Sequence, residues 1–203
     1  MQSLQTTATS LLMRVRDPAD HAAWREFDSR YRELLVRFCR RRGVSHVDSE
    51  DIVQKVFVSL GKTLPQFTYD RNRGRFRDYL FRCVRNAISE WAARPNRAWR
   101  SLDSNTSQGS TNESTGEALD PAELGTWEEE WVAHHYRLAL AAIRESFDER
   151  SVAIFERMMA GARVSEVAEQ FGTTDEAVYK IRQRIRDRME ALVARQVREE
   201  DEV

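Results

Sequence analysis

The chain has 203 residues, of which 41% are hydrophobic and 32% are charged, and its formal net charge of −1 argues against a uniformly basic nucleic-acid binder. Its two cysteines, Cys39 and Cys83, lack CxxC spacing, which excludes a disulfide framework and a zinc site. No apolar run approaches the roughly 18 residues that a membrane-spanning helix needs, and the N-terminus lacks a signal-peptide pattern, so we expect a protein of the reducing cytoplasm without membrane insertion.

The first predicted element is a long amphipathic helix. Between Pro18 and Arg42 the apolar residues recur at intervals of three and four, which places them on one helical face. Asp17 or Asp20 is positioned to cap the start of this helix, and Gly43 is positioned to end it. With only 8 glycines and 4 prolines in the chain, a largely helical protein is predicted.

Two further helices are predicted before the middle of the chain. The second helix begins at Asp48, carries acids in its first turn, where they suit the helix dipole, and ends at Gly61. The segment FTYDRNRGRF, from Phe67 to Phe76, mixes turn residues with aromatic residues and arginines, which predicts a loop. The third helix begins at Phe76 and is stopped by Pro95.

The composition changes after the third helix. Residues 96–126 are acidic and rich in Ser, Thr, Asn and Gly with almost no periodicity, which predicts a flexible linker. Further amphipathic helices are predicted after it. The predicted fold is therefore all-α, with one helical domain over residues 1–95 and a second over residues 127–203.

Charge is distributed unevenly along the chain. Residues 71–100 contain nine arginines against Asp78 and Glu90, whereas residues 101–130 contain eight acids and no basic residue. The chain is basic again from Lys180 to Arg198. Because the first basic block holds few acids for local ion pairs, we favour nucleic-acid contact over a solvated, ion-paired face.

The stretch VSEVAEQFGTTDEAVYKIRQRIRDRM, residues 164–189, predicts two helices joined by a tight turn. Gly172 can end the first helix in the left-handed conformation, and Thr173, Thr174 or Asp175 can cap the second. This pattern is typical of a helix-turn-helix, although generic helical hairpins share it. The second helix would direct Glu176, Ala177, Tyr179 and Lys180 to base edges, and Arg182, Arg184, Arg186 and Arg188 to phosphates.

Three segments before the linker form a family pattern in their order: AWREFDSRYRELLVRFCRRRG, DSEDIVQKVFVSL and FTYDRNRGRFRDYLFRCVRNAISEWAAR. They resemble the sigma-2 domain of the extracytoplasmic-function (ECF) group of sigma-70-type sigma factors, the promoter-recognition subunits of bacterial RNA polymerase. The block from Ser151 to Leu192 resembles the sigma-4 domain of that group. Ser49, Lys55 and Tyr79 depart from the family pattern, and Lys55 stands where the family carries an acid on its polymerase-binding face.

The resemblance implies a protein that binds core RNA polymerase and promoter DNA and promotes melting of the promoter duplex. It places sigma-2 on the beta-prime clamp and sigma-4 on the beta flap, and it makes an anti-sigma protein or a kinase a further partner to look for. The residues it implies for polymerase binding are Asp48, Glu50, Asp51, Gln54 and Phe57. Those it implies for the −10 element are Phe67, Tyr69, Arg73, Arg75, Arg82, Arg85 and Asn86. Those for the −35 element are Thr174, Glu176, Ala177, Tyr179, Lys180, Arg182, Arg184 and Arg186.

Several features of these segments allow a plainer interpretation. Aromatic residues at helical spacing are more often core than surface, so we expect Phe76 and Tyr79 to be core residues. The acidic linker either threads toward the polymerase active-site cleft or is simply a soluble tether. The sequence has no Gly-rich phosphate loop, nucleophile elbow or pair of catalytic carboxylates, so we expect no catalytic residue, no metal site and no cofactor.

Two other functions fit parts of the sequence. A stand-alone helix-turn-helix regulator would bind duplex DNA without polymerase, but the acidic second helix and the segment that resembles a melting region speak against it. A helical adaptor would bind only protein and leave its arginines solvated. Binding to DNA with a steep dependence on salt concentration would exclude the adaptor.

Overall fold

The computed structural model describes residues 8–66, 75–94 and 120–201, and within these ranges every regular element is a helix. The prediction of an all-α fold is confirmed for this part of the chain. Contacts divide the chain into unit 1, which runs to Trp131 and takes in the end from Glu199, and unit 2, Val132 to Arg198. The described α-helices are α1 (Ala8–Arg14), α2 (His21–Arg41), α3 (His46–Thr63), α4 (Phe76–Ala92), α5 (Pro121–Ser146), α6 (Glu149–Met159), α7 (Val164–Gln170) and α8 (Asp175–Asp201), with a 3₁₀ turn at Leu64–Gln66.

Helix α2 is closed at both ends by the residues that the sequence suggests. Of the two predicted caps, Asp20 is confirmed, because its carboxylate accepts the backbone N–H of Ala23 at 2.8 Å. Arg14 donates to the same carboxylate at 3.0 Å, and these bonds lower the pKa of Asp20. Gly43 follows the helix with a φ of 80°, the left-handed conformation that ends a helix without steric cost to glycine.

Helix α3 differs from the prediction at both ends. It begins at His46, because Ser45 rather than Asp48 caps it, and the Ser45 hydroxyl accepts the Asp48 backbone N–H at 3.2 Å. The predicted stop at Gly61 is wrong, since Gly61 keeps a right-handed backbone inside the helix, which continues to Thr63. Helix α4 begins at Phe76 as predicted and ends just before the proline that was expected to stop it.

The core of unit 1 is built around aromatic rings. The rings of Phe27 and Tyr31 on α2 lie 6.0 Å and 5.7 Å from that of Phe76 on α4, and the ring of Phe38 lies 5.9 Å from that of Phe81. These contacts are edge-to-face, the arrangement that aromatic quadrupoles favour. The expectation that Phe76 is a core residue is therefore confirmed. Helix α3 adds buried aliphatic side chains, which are Ile52, Val53, Val56 and Leu60.

The first turns of α5 complete this core. Trp127 is fully buried, and its ring lies 5.2 Å from that of Phe38 and 5.6 Å from that of Phe81. One turn later Trp131 stacks on Tyr31 at 6.4 Å between ring centroids. The start of α5 thus completes the core of unit 1 by packing against α2 and α4.

This packing differs from the predicted domain organisation. The predicted linker spans residues 96–126, but α5 already begins at Pro121, and residues 96–119 lie outside the described part of the chain. The second domain is predicted from residue 127, whereas contacts divide the chain after Trp131. The periodicity of α5 predicts a helix but does not show which unit its apolar side contacts, because the partners of Trp127 lie on helices far earlier in the chain.

Unit 2 combines the rest of α5 with α6, α7 and α8. One apolar cluster joins α5, α6 and α8, and a second joins α6, α7 and α8. Asp148 caps α6 by accepting the backbone N–H of Ser151 at 2.8 Å, which lowers the pKa of Asp148. The buried residues of the first cluster are Ala139, Ile143, Val152, Phe155, Ile185 and Leu192, and those of the second are Ile154, Val167, Ala168 and Val178.

The two cysteines are enclosed by unit 1. Burial raises the pKa of the Cys39 thiol to about 12, and it also raises the pKa of the partly exposed Cys83. Raised pKa values describe structural rather than reactive thiols. Among the described residues, no group of three His, Cys, Asp or Glu side chains is arranged to hold a metal ion. Within the same ranges, no helix is both long and apolar enough to cross a membrane.

Replacing Trp127 by alanine should destabilise unit 1, because it removes a fully buried ring and leaves a cavity between α2 and α4. We expect a loss of about 3–5 kcal/mol in the free energy of unfolding, measured by urea denaturation followed by circular dichroism. The matched control is Tyr136→Ala on the same helix, where the ring is 53% exposed and the loss should stay within about 0.5 kcal/mol. Equal losses for the two variants would show that α5 does not anchor unit 1.

Candidate nucleic-acid interface

An exposed strip runs along α3, opposite its buried side. Asp51 and Gln54, both predicted for polymerase binding, lie on this strip. Val47 and Val58 flank them and are 73% and 52% exposed, which is unusual for valine in a helix that has a buried side available. The sequence analysis missed these two valines. Their spacing of four and seven residues from Asp51 places all of them on one helical face, a signal that was present in the sequence.

The other residues predicted for polymerase binding make contacts within unit 1. Arg32 on α2 donates to Glu50 at 2.7 Å, and its guanidinium lies 5.4 Å from the ring centroid of Phe57. Hydrogen bonds, above all to Asp28, raise the pKa of Arg32. Phe57 is only 8% exposed and packs on the core, and its role in polymerase binding stays a prediction. Asp48 accepts a hydrogen bond from its own cap, the Ser45 hydroxyl, at 2.7 Å.

Helix α4 carries the described part of the set predicted for the −10 element. Arg82 and Asn86 are exposed one turn apart on the side away from the core. Arg85 is turned toward α5, with its Nε 3.6 Å from the Glu123 carboxylate. Arg75 precedes the helix, and its backbone N–H donates to Asp78 at 3.1 Å. The remaining predicted residues, Phe67, Tyr69 and Arg73, lie outside the described residues.

Tyr79 sits between the core and the exposed side of α4. It is half-buried against the core, and its hydroxyl lies 2.6 Å from the hydroxyl of Thr63 on α3. Burial raises the pKa of Tyr79. The expectation that Tyr79 is a core residue is confirmed for its ring, while its hydroxyl joins α4 to the end of α3.

The arginines of unit 1 have more ion-pair partners than the local sequence suggests. Arg77 on α4 lies 2.7 Å from Glu128, and Arg41 at the end of α2 lies 2.7 Å from Glu129. Arg42 pairs with Glu123. The expectation that the first basic block lacks acidic partners is therefore wrong for Arg77 and for Arg85, because α5 brings in carboxylates from the acidic block.

The turn between α7 and α8 has the geometry that the sequence predicts. Gly172 has a φ of 56°, and the next N–H, of Thr173, donates to the Ala168 carbonyl at 2.9 Å, which closes α7. Thr174 is the cap of α8, since its hydroxyl accepts the Ala177 backbone N–H at 3.2 Å. Val167, Ala168 and Val178 are buried where the two helices meet.

The exposed side of α8 presents polar side chains in its first three turns. Tyr179 is 55% exposed, and Lys180 pairs with Glu176 at 2.6 Å one turn earlier. Gln183 continues the same side and donates to Asp187 at 2.6 Å. The sequence analysis missed Gln183, although its spacing of seven residues from Glu176 places both on one helical face. Arg182 is exposed, Arg186 pairs with Glu190 at 2.9 Å, and the small side chain of Ala177 is half-buried.

Arg184 has a different environment from that predicted. Its guanidinium lies 5.1 Å from the ring centroid of Phe147 and 3.5 Å from the Ser151 hydroxyl, which it donates to. Both partners belong to unit 2. The predicted role of Arg184 as a phosphate contact is not supported by this geometry, because its charge is directed to the segment between α5 and α6.

Comparison with known families bears on unit 1. The family model described as Sigma-70 region 2 matches residues 27–107. The chain carries a sigma-70 region 2 domain. The matched residues include α3, α4 and most of α2, so the exposed sides of α3 and α4 lie within the matched region. No curated protein matches the chain.

The left-handed turn before α8 can be tested by a pair of glycine variants. Gly172→Ala should lower the free energy of unfolding of unit 2 by about 1–2 kcal/mol, because alanine is strained at a φ of 56°. Gly125→Ala, in the right-handed interior of α5 with no atom within 4 Å of the added Cβ, should instead stabilise by about 0.5–1 kcal/mol. Urea denaturation measures both. Stabilisation by both variants would contradict a left-handed turn at Gly172.

Proposed function

We propose that the chain is a sigma factor of the ECF type that reads both the −10 and the −35 promoter elements. The match of residues 27–107 to Sigma-70 region 2 carries this proposal. The matched residues include both the acidic helix α3 and the basic helix α4, and sigma-70 region 2 is a domain that acts in promoter recognition and melting. The helices α7 and α8, which follow in the order that the ECF group shows, support the second promoter contact. The alternatives of a stand-alone regulator or a protein-only adaptor account for unit 2 but not for the region 2 match.

Polymerase binding is assigned to the exposed strip of α3. Asp51 and Gln54 offer a carboxylate and an amide between two exposed valines, Val47 and Val58. Such a strip suits a basic protein surface, since the carboxylate steers and orients the encounter while the valines supply apolar area. Glu50 lies at the edge of the strip, where it forms an ion pair with Arg32. The expected partner is the beta-prime clamp of core polymerase.

The −10 element is assigned to the exposed side of α4. Arg82 and Asn86 lie one turn apart, so a guanidinium and an amide can contact neighbouring groups of one DNA strand. Phe67, Tyr69 and Arg73 remain part of this proposal, because an aromatic ring can stack on an unpaired base and recover about 1–3 kcal/mol of the energy lost on melting. Arg75 and Arg85 complete the proposed set.

The −35 element is assigned to α8, with α7 as the bracing helix of a helix-turn-helix. Glu176, Tyr179, Lys180 and Gln183 share the exposed side of its first three turns, which is the part of a recognition helix that meets base edges. The Gln183 amide can form two hydrogen bonds with adenine, because the edge of adenine in the major groove presents one donor and one acceptor. Thr174 and Ala177 lie at the start of this helix, and Arg182 and Arg186 flank it as phosphate contacts. On this proposal unit 2 is a sigma-4-like domain that also binds the beta flap.

The decisive experiment is reconstitution of transcription. Core RNA polymerase with this chain should produce transcripts from a specific promoter selected from the source genome, and core polymerase alone should not. The Asp51→Arg variant should lose most of its binding to core polymerase, because it reverses the charge at the centre of the α3 strip. Its circular dichroism should not change, since residue 51 is exposed.

The matched control for Asp51→Arg is Glu145→Arg, the same change at an exposed position of α5 in unit 2. It should leave binding to core polymerase within about twofold of wild type, as expected for a surface charge away from the interface. Equal loss of binding by both variants would remove the α3 assignment. Absence of any promoter-dependent transcript from the wild-type holoenzyme would remove the proposed function itself.

Two arginines of α8 should behave differently in duplex DNA binding. Arg182→Ala should reduce the slope of log K against log salt concentration by about 0.9, the value for one lost phosphate contact. Arg184→Ala should leave that slope unchanged and instead lower the free energy of unfolding by about 0.5–1 kcal/mol, because it removes the cation–π contact with Phe147. Fluorescence anisotropy over a range of KCl concentrations measures the slopes. The reverse result would show that Arg184 leaves Phe147 to contact DNA.

A further inference from the structure

The acidic strip of α5 consists of Glu123, Glu128, Glu129 and Glu130. Each of these carboxylates lies within ion-pair distance of an arginine of the region 2 domain, although the partners are distant in sequence. The four arginines that face the strip are Arg41 and Arg42 at the end of α2 and Arg77 and Arg85 on α4. The end of α2 and helix α4 therefore meet several carboxylates of the first turns of α5.

The strip is held in place by packing rather than by its charges. Trp127 lies between Glu123 and Glu128 in sequence, Trp131 follows Glu130, and both tryptophans are buried in unit 1, which fixes α5 against α2 and α4. The ion pairs retain different degrees of exposure: Arg41 and Glu129 are 44% and 66% exposed, whereas Arg85 and Glu123 are 22% and 16% exposed. Exposed ion pairs contribute little, about 0–1 kcal/mol each. A second polyanion can thus compete for the arginines while the tryptophans keep α5 in position.

Two of these arginines are next to the proposed −10 contacts. Arg85 adjoins Asn86 in sequence and lies three residues from Arg82, so it stands between the exposed side of α4 and the strip. Its Nε is 3.6 Å from Glu123, whose carboxylate also pairs with Arg42. Arg77 lies two turns earlier on α4 and pairs with Glu128 at 2.7 Å. The glutamates therefore reduce the positive potential at the edge of the proposed DNA-binding face.

We propose that the acidic strip of α5 is an internal competitor of single-stranded nucleic acid for these four arginines. This inference rests on the proposed function, since it assigns a nucleic-acid role to α4. The strip is attached to the domain, so it acts at a high effective concentration and weakens binding of the free protein to any single strand regardless of sequence. A strand that binds productively must displace the glutamates from their arginines, which are then available to phosphates.

The test uses the full-length chain and a fluorescently labelled oligothymidylate of about 20 nucleotides. In E123Q/E128Q the amides keep the shape of the side chains but release Arg42, Arg77 and Arg85 from their carboxylate partners on α5. With three more phosphate contacts, the slope of log K against log salt concentration should steepen by about 2.1, and binding at low salt should tighten roughly tenfold. Adding R77Q to this variant should reduce the slope again by about 0.7.

The matched control is E26Q/E33Q, which makes the same change of charge in unit 1. Glu26 pairs with Arg14 of α1 and Glu33 with Arg37 of its own helix, so neither of these pairs includes a carboxylate of α5. Equal slopes for the two double variants would overturn the proposal, because a general change of net charge would then explain the gain. The same holds if E123Q/E128Q binds no more tightly than wild type.

A second pair of variants keeps the test valid if E123Q/E128Q is unstable. E129Q changes a glutamate that is 66% exposed, and E33Q changes one that is 57% exposed, and each glutamate lies 2.7 Å from its arginine. E129Q should steepen the slope by up to about 0.7, the value for one phosphate, because Glu130 still lies 3.4 Å from Arg41, and E33Q should not steepen it. Promoter-dependent transcription by wild type together with unchanged slopes for E129Q would overturn the internal competitor and leave the proposed function standing.

Discussion

Unit 1 depends on the burial of Trp127 between α2 and α4. A tryptophan side chain buries about 150–250 Å², which at about 25 cal/mol per Å² corresponds to roughly 4–6 kcal/mol. The ion pairs around it are partly exposed and contribute about 0–1 kcal/mol each. The aromatic contacts with Phe38 and Phe81 therefore determine where α5 lies. The ion pairs are a consequence of that position, and they determine the charge of the surface rather than its fold.

This order of energies explains how a nearly neutral chain can carry a nucleic-acid face. The arginines of residues 71–100 and the acids of residues 101–130 balance in number along the sequence, but the structure pairs only part of them. Arg77 and Arg85 face carboxylates of α5, whereas Arg82 projects on the exposed side of α4. The carboxylates of α5 thus compensate arginines on one side of α4, which on the proposed function restricts where a DNA strand can bind.

Local sequence patterns were sufficient for most helix ends and insufficient for side-chain environments. Asp20, Gly43 and Gly172 were predicted correctly, because a cap or a left-handed turn depends on residues within one helical turn. Phe57, which was predicted to bind polymerase, is 8% exposed, and Arg184, which was predicted to contact phosphate, is exposed but also contacts Phe147 of its own unit. Helical spacing predicts which side of a helix a residue lies on. For a residue at the edge of the buried side, this prediction does not show whether the side chain is buried or exposed.

The position of Trp127 also changes what the segment between α4 and α5 connects. Because unit 1 runs to Trp131, residues 95–119 join two parts of the same unit, and the chain passes to unit 2 within α5. A path toward the polymerase active-site cleft must therefore leave unit 1 and return to it. In a tether between two domains the far end would instead be free to move with the second domain.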